Sequence, residues 1–195
     1  MKPVAFAVLA LLALGGLLWW SQAPTVARAE EPSTPQEIAP PIAAGDIPPI
    51  HGIAAWLNTP GEAPLTSEDL EGKVVLVHFW TFGCSNCVAT IPHVHAWYDR
   101  FHDDDFIILG VHTPEFSSEE SVSNVRKAIA RHDIPYPVLM DNGRVTWNEF
   151  RNRYWPADYL FDASGKLIYT HIGEGDYDEM ADRIQTALDA IHERE

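Results

Sequence analysis

The chain has 195 residues, 46% of them hydrophobic, with 28 acidic against 13 basic side chains and a formal net charge of −15. Nucleic acid and anionic lipid surfaces repel such a chain, so neither is expected as a partner. The plainest role of the acids is solubility; a preference for basic partners is the weaker inference.

Lys2 is followed by an apolar run from Val4 to Trp20 and then by the small-residue pattern Ala27-Arg28-Ala29. Residues 1–29 therefore read as an export segment, and two fates stay open for it. Ala27 and Ala29 fit a signal-peptidase site, whereas the length of the run and the Trp19-Trp20 pair fit a membrane anchor with an interfacial aromatic belt. A buried core helix is excluded because the run has no polar face. With Lys2 as the flanking positive charge, the N-terminus stays in the cytoplasm and the rest lies outside it, in a periplasmic or other extracytoplasmic space. After Ala29 there are 11 basic and 28 acidic residues, a charge of −17. Residues 30–50 carry Pro32, Pro35, Pro40, Pro41, Pro48 and Pro49 and read as a semi-rigid linker, which leaves residues 51–195 for one domain.

Within that domain a short strand is expected over Ile53 to Leu57, then an acidic helical turn at Ser67-Glu68-Asp69-Leu70. The continuous apolar run Val74 to Trp80 suits a central buried strand. A helix from Ser85 to Phe101 follows, with Val88, Ile91, His95, Tyr98 and Phe101 at three- and four-residue steps and a kink at Pro92. Phe106 to Val111 is a second buried strand. Ser117 and Glu120 read as a capping box opening a helix to about Arg131, which completes a strand–helix–strand–helix alternation and predicts a parallel unit. A strand at Pro137 to Met140, a brief helix at Val145 to Phe150, and a hairpin of Tyr159 to Phe161 with Lys166 to Ile172 come next. The last helix, Tyr177 to His192, places Met180, Ile184, Leu188 and Ile191 on one face.

The two cysteines, Cys84 and Cys87, bracket Ser85-Asn86 at the junction of the central strand and the following helix. A bridge closing about four residues stabilises by only about 2 kcal/mol, so it is a poor staple. It is also a poor zinc site, because a closed site needs a second ligand pair and His93 and His95 lie too close together on the same helix to supply it. Neither a metal nor a cofactor is expected. A helix N-terminus favours thiolate over thiol, and Cys84 is placed there as the exposed, attacking sulfur. Cys87, one turn on, is expected to be buried and to resolve the mixed disulfide.

Phe79-Trp80-Thr81-Phe82-Gly83-Cys84-Ser85-Asn86-Cys87, Pro92 in the next helix and Trp155-Pro156 before the hairpin resemble the thioredoxin-like superfamily. Gly110-Val111-His112-Thr113-Pro114-Glu115-Phe116, Tyr154-Trp155-Pro156-Ala157 and Gly173-Glu174-Gly175 are similar to the thioredoxin-like domain of DipZ-type membrane disulfide reductases, with TlpA/ResA-type extracytoplasmic thioredoxins as more distant relatives. The resemblance covers about residues 53 to 190. It implies an α/β thioredoxin-like fold with a central mixed sheet flanked by helices. It also implies an extracytoplasmic thiol-disulfide oxidoreductase acting on protein disulfides or dithiols, with a membrane thiol reductase as its upstream partner, and favours reductase or isomerase service.

Position by position, the resemblance makes Pro156 a cis-proline beside the dithiol and Trp155 a substrate contact, with a core aromatic as the alternative for Trp155. Trp80 is expected under the site and Phe82 on its rim. Classical thioredoxins carry a buried acid where this chain has His78, which is either a general base or a satisfied core histidine. Glu115 is a second candidate for proton transfer, since TlpA/ResA-type relatives use an active-site glutamate. Two other classes stay in view. Thr81-x-x-Cys84 matches half of the peroxiredoxin motif, though Val77 stands in place of its proline. A copper chaperone would use Cys84, Cys87 and a histidine as soft ligands, but the familiar copper-delivery relatives space their cysteines by three residues.

Overall fold

A computed structural model describes residues 47–102 and 105–193. Residues 1–29, read above as an export segment, and most of the linker lie outside them. Among the described residues no helix is long and apolar enough to cross a membrane.

Six strands form one mixed sheet in the order β1-β4-β3-β2-β5-β6. They are β1 (Trp56–Leu57), β2 (Val74–Trp80), β3 (Phe106–His112), β4 (Val138–Met140), β5 (Ala157–Phe161) and β6 (Leu167–Ile172). The helices are α1 (Ser67–Leu70), α2 (Ser85–Phe101), α3 (Val122–Arg131), α4 (Val145–Glu149) and α5 (Tyr177–His192). Strand β2 is buried at all seven positions because it has a neighbour on each side, β3 in parallel and β5 antiparallel, and helices over its face. That arrangement is what a continuous Val-Val-Leu-Val-His-Phe-Trp run can satisfy.

Alternation along the strands divides the core in two. Leu76, Trp80 and Leu160 share one cluster with Cys87, Ile91 and Val94 of α2, Val125 of α3 and Ile184 of α5. Val75, Val77, Phe79 and Tyr159 form the other, with Trp147 and Phe150 at α4 and with Ile47, Ile50 and Ile53 of the entering chain. Of these entering residues, Ile47 and Ile50 also line a cavity with Leu65, Leu70 and Gly165, beside the β5–β6 turn.

Three sequence expectations shift. The first strand is only Trp56–Leu57: Asn58 turns the chain at φ 59° and gives its side-chain amide to the Ile134 and Tyr136 carbonyls, while Ala54 and Ala55 exchange single backbone bonds with Met140. The buried stripe of α2 is Cys87, Ile91, Val94, Trp97 and Phe101, with Val88, His95 and Tyr98 only half-buried. Its rotation keeps the sulfur of Cys87 inward, and the helix runs through Pro92. Finally, Ser117–Glu120 is a separate 3-10 turn ending at an extended Ser121, and α3 starts afresh at Val122. The turn breaks there because Glu119 is drawn inward to bond the loop before it, a role Glu120 was expected to fill in a capping box.

Candidate active site

β2 ends at Trp80, and four residues later the chain enters α2 with Cys84 as its N-cap. The backbone of Cys84 is extended there (φ −88°, ψ 117°), so its Sγ can accept the N–H of Cys87 at 3.3 Å. A sulfur thus does what a serine or aspartate oxygen commonly does at a helix start, and it sits at the positive end of the dipole. Cys84 is half-buried and Cys87 fully buried; both are free thiols. Burial pushes the Cys87 thiol far above the ordinary range. Its hydrogen bond with Cys84 and the charge of Asp158 add to that, and a backbone bond from Thr81 opposes it. One sulfur is therefore accessible at a helix N-terminus and the other is protonated beneath it.

The Trp155–Pro156 peptide bond is cis. Its carbonyl, on Trp155, lies 4.0 Å from Cys84 Sγ, the long limit of a thiol hydrogen bond. Trp155 is half-buried and anchored: its Nε1–H donates to the Thr113 carbonyl at 3.1 Å, its ring lies 4.2 Å from Trp147, and the Arg144 guanidinium sits 5.0 Å from it. The tryptophan thus joins the core on one side and borders the dithiol on the other. Phe82 and Trp155 are half-buried beside this site, and the exposed Phe116 ring comes close to Gly83, the residue before Cys84.

Beneath this rim Trp80 is fully buried and meets His112 edge-on at 5.0 Å, while Phe82 stacks on the same imidazole at 5.5 Å. Thr81 Oγ1 is buried and bonds His112 Nε2 at 3.3 Å, so the hydroxyl that half-matched a peroxiredoxin motif is engaged below the site. Burial lowers the His112 pKa from 6.5 to about 4, slightly opposed by Glu119. The unfolded chain therefore takes up this proton before the folded one. The associated stability is complete above about pH 6.5 and declines as pH falls, by about 3 kcal/mol in all by about pH 4. Urea unfolding at about pH 7 and about pH 4.5 is expected to show that loss, and His112→Gln to flatten it.

Glu119, which sequence reasoning passed over, is 1% exposed and holds the loops flanking the dithiol. Its Oε1 accepts Gly83 N–H at 2.9 Å, and its Oε2 accepts the N–H groups of Glu115 and Phe116 at 2.6 and 3.0 Å. A β-carbon at residue 83 would collide with Oε1, so Gly83 is required for close approach and not for its backbone angles. Glu115, the acid singled out from sequence, is exposed and reaches this cluster through its backbone N–H. His78 is fully buried at the middle of β2, and its Nδ1 lies 2.7 Å from Asp158 Oδ1 on β5. Among the described residues no group of three or more His, Cys, Asp or Glu side chains could hold a metal ion.

Residues 54–170 match the model of the AhpC/TSA family. Over 133 residues, 68% of this chain, the sequence is 48% identical to Protein DipZ of Mycobacterium tuberculosis, and it spans 19% of that protein's length. It is 32% identical over 143 residues to the thiol-disulfide oxidoreductase YkuV of Bacillus subtilis, covering 73% of this chain and 93% of YkuV. Among solved structures, a thioredoxin-like protein in its oxidised form superposes with a TM-score of 0.67 at 29% identity, over 75% of this chain and 97% of the other.

Proposed function

The chain belongs to the AhpC/TSA family and has the thioredoxin-like fold, and on that premise we propose that it is a thiol-disulfide oxidoreductase working through Cys84 and Cys87. One observation carries the proposal: a half-exposed Cys84 sulfur capping α2 beside cis-Pro156, with Cys87 buried and protonated one turn below. In the reducing direction the Cys84 thiolate attacks a protein disulfide, forming a mixed disulfide and releasing one substrate sulfur. Cys87 then loses its proton and attacks Cys84 Sγ; the bond to the substrate breaks, and the second substrate sulfur leaves as a thiolate. Two electrons pass to the substrate, and a Cys84–Cys87 disulfide remains.

Trp155 and Pro156 border the sulfur and are proposed to receive an extended substrate segment. The similarity to DipZ and YkuV supports service toward protein disulfides, with a membrane thiol reductase recharging the dithiol. The apolar run Val4 to Trp20 supports an extracytoplasmic site of action, either tethered or free after cleavage at Ala29. Cys87→Ser leaves the mixed disulfide without its resolving sulfur. Covalent, thiol-reversible complexes with client proteins should therefore accumulate on non-reducing gels from extracytoplasmic fractions. Their absence, together with no reduction of a model protein disulfide by the unaltered chain, would overturn the proposal.

A further inference from the structure

Three loops frame the dithiol: residues 81–84 after β2, residues 113–116 after β3, and residues 152–156 before β5. Glu119 ties the first to the second, through Gly83 on one side and Glu115 and Phe116 on the other. The second and third are joined at two consecutive carbonyls. Thr113 is the fixed point: its N–H donates to the Trp80 carbonyl at 3.1 Å, its Oγ1–H donates to Asp141 at 3.2 Å, and its carbonyl accepts Trp155 Nε1–H at 3.1 Å. The next carbonyl, on Pro114, accepts a guanidinium N–H of Arg144 at 2.7 Å.

Arg144 stands in the turn between β4 and α4. Its guanidinium carbon lies 5.0 Å from the ring centre of Trp155 and 5.4 Å from that of Trp147, both within the range of a cation–π attraction. Local backbone preference does not call for an arginine here, because residue 144 occupies the left-handed region (φ 54°, ψ 28°) that glycine or asparagine enters more readily. Among the described residues, Arg126 and Arg183 pair with carboxylates, whereas Arg144 is set against two indole rings and a carbonyl. A planar guanidinium can lie on a ring and donate in its own plane at the same time, which a lysine ammonium does less well.

The side chain fixed in this way is Trp155. Its Nε1–H bond holds the ring at one atom, and a ring held at one atom can still tilt. The guanidinium on its face and the Trp147 ring, 4.2 Å away at 39°, remove that freedom. Trp155 is also the residue whose backbone borders the sulfur: its carbonyl lies 4.0 Å from Cys84 Sγ, while the Pro156 carbonyl is already taken by Gly173 N–H at 2.9 Å. Resting on the dithiol reading above, we propose that Arg144 is a positioning residue for protein clients, clamping Trp155 to the loop after β3 so that the edge receiving an extended client segment is set before the client arrives. Main-chain pairing along an edge is favoured by a backbone that needs no further ordering. The substrate class that benefits is therefore a disulfide carried in an extended peptide, and a small disulfide without flanking backbone does not benefit.

The test mixes the reduced full chain, in detergent, with two mixed disulfides that share one aromatic thiol, the first on the cysteine of a peptide of about nine residues and the second on free cysteine. In both, Cys84 bonds to the cysteine sulfur and the aromatic thiolate leaves, so the released thiolate reports the same reaction. The unaltered chain is expected to react faster with the peptide and to saturate. Arg144→Met keeps the length but loses the charge and the donor. It is expected to raise the half-saturating peptide concentration about fivefold, leaving the limiting rate and the reaction with the cysteine disulfide unchanged. Arg144→Lys, which keeps a cation and a donor, should recover most of the difference. Arg144→Gln keeps a donor for Pro114 and loses the cation; a rise of about threefold is expected, and it decides the case if Arg144→Met does not fold. Equal slowing with both disulfides, an unchanged half-saturation, or no preference for the peptide in the unaltered chain overturns the positioning role alone. No thiolate release by the unaltered chain from either disulfide overturns the dithiol reading and the positioning role with it.

Discussion

Cys84→Ser lowers the rate of protein-disulfide reduction about a thousandfold or more, to the background of the uncatalysed exchange. The hydroxyl that replaces the sulfur is not ionised near neutral pH and forms no disulfide, so neither the mixed disulfide nor the internal one can arise. Cys87 does not substitute for it. That thiol is fully buried and held in its protonated form by burial, by Cys84 and by Asp158. Removing Cys84 takes away one of those influences but leaves burial, the largest. Stability should change little, because serine can accept the Cys87 N–H at the helix cap as the sulfur does. Turnover of a model protein disulfide and a thermal melt of the same variant separate the two effects. A variant that keeps a tenth of the activity would show that Cys84 is not the attacking sulfur.

Glu119→Ala lowers stability by about 3 kcal/mol. It strips the acceptor from three backbone N–H groups, each costing about 1–3 kcal/mol if left unmade in the interior. All three belong to exposed residues, Gly83, Glu115 and Phe116, whose N–H groups water can reach in part. The loss is therefore nearer three partial donors, about 1 kcal/mol each, than three full ones. Glu119→Gln keeps an oxygen for Gly83 but turns an amide –NH2 toward donors, and about 2 kcal/mol is expected. Since the carboxylate ties the turn before the dithiol to the loop after β3, both variants should also slow attack by Cys84. Denaturant unfolding read beside the rate at which Cys84 is alkylated at about pH 7 checks both parts: an unfolding midpoint unchanged in Glu119→Ala would show that these bonds are replaced by water at no cost.

β2, α2 and α5 were legible to within a residue because each is a long run whose own periodicity decides its state, with Val74 to Trp80 apolar throughout and Tyr177 to His192 amphipathic. The dithiol and the proline beside it stood out because their spacing carries chemistry. Glu119 and Asp158 did not, since their roles come from residues dozens of positions away. Glu119 looked like one acid among the surface acids of Ser117 to Glu120. Asp158 did leave a signal that was not used: an acid inside Ala157-Asp158-Tyr159-Leu160-Phe161, a run fit for a buried strand, has to find a partner. His78, singled out alone, acquires that partner only when β5 is set against β2. The α2 stripe was misplaced by one residue for a related reason, as Cys87 and Val94 turn inward toward contacts the helix cannot encode by itself.

The place where the chain enters the described domain bears on how it meets other proteins. Ile47 and Ile50 lie beside Leu65, Leu70 and the β5–β6 turn, next to where β2 begins, whereas Cys84 follows the strand's far end. Seven residues of strand put about 20 Å between the two poles. A domain held to a surface through residues before Ile47 would turn its sulfur outward, like a plug whose contacts face the room and whose cord runs to the wall, and clients could dock without crossing the tether.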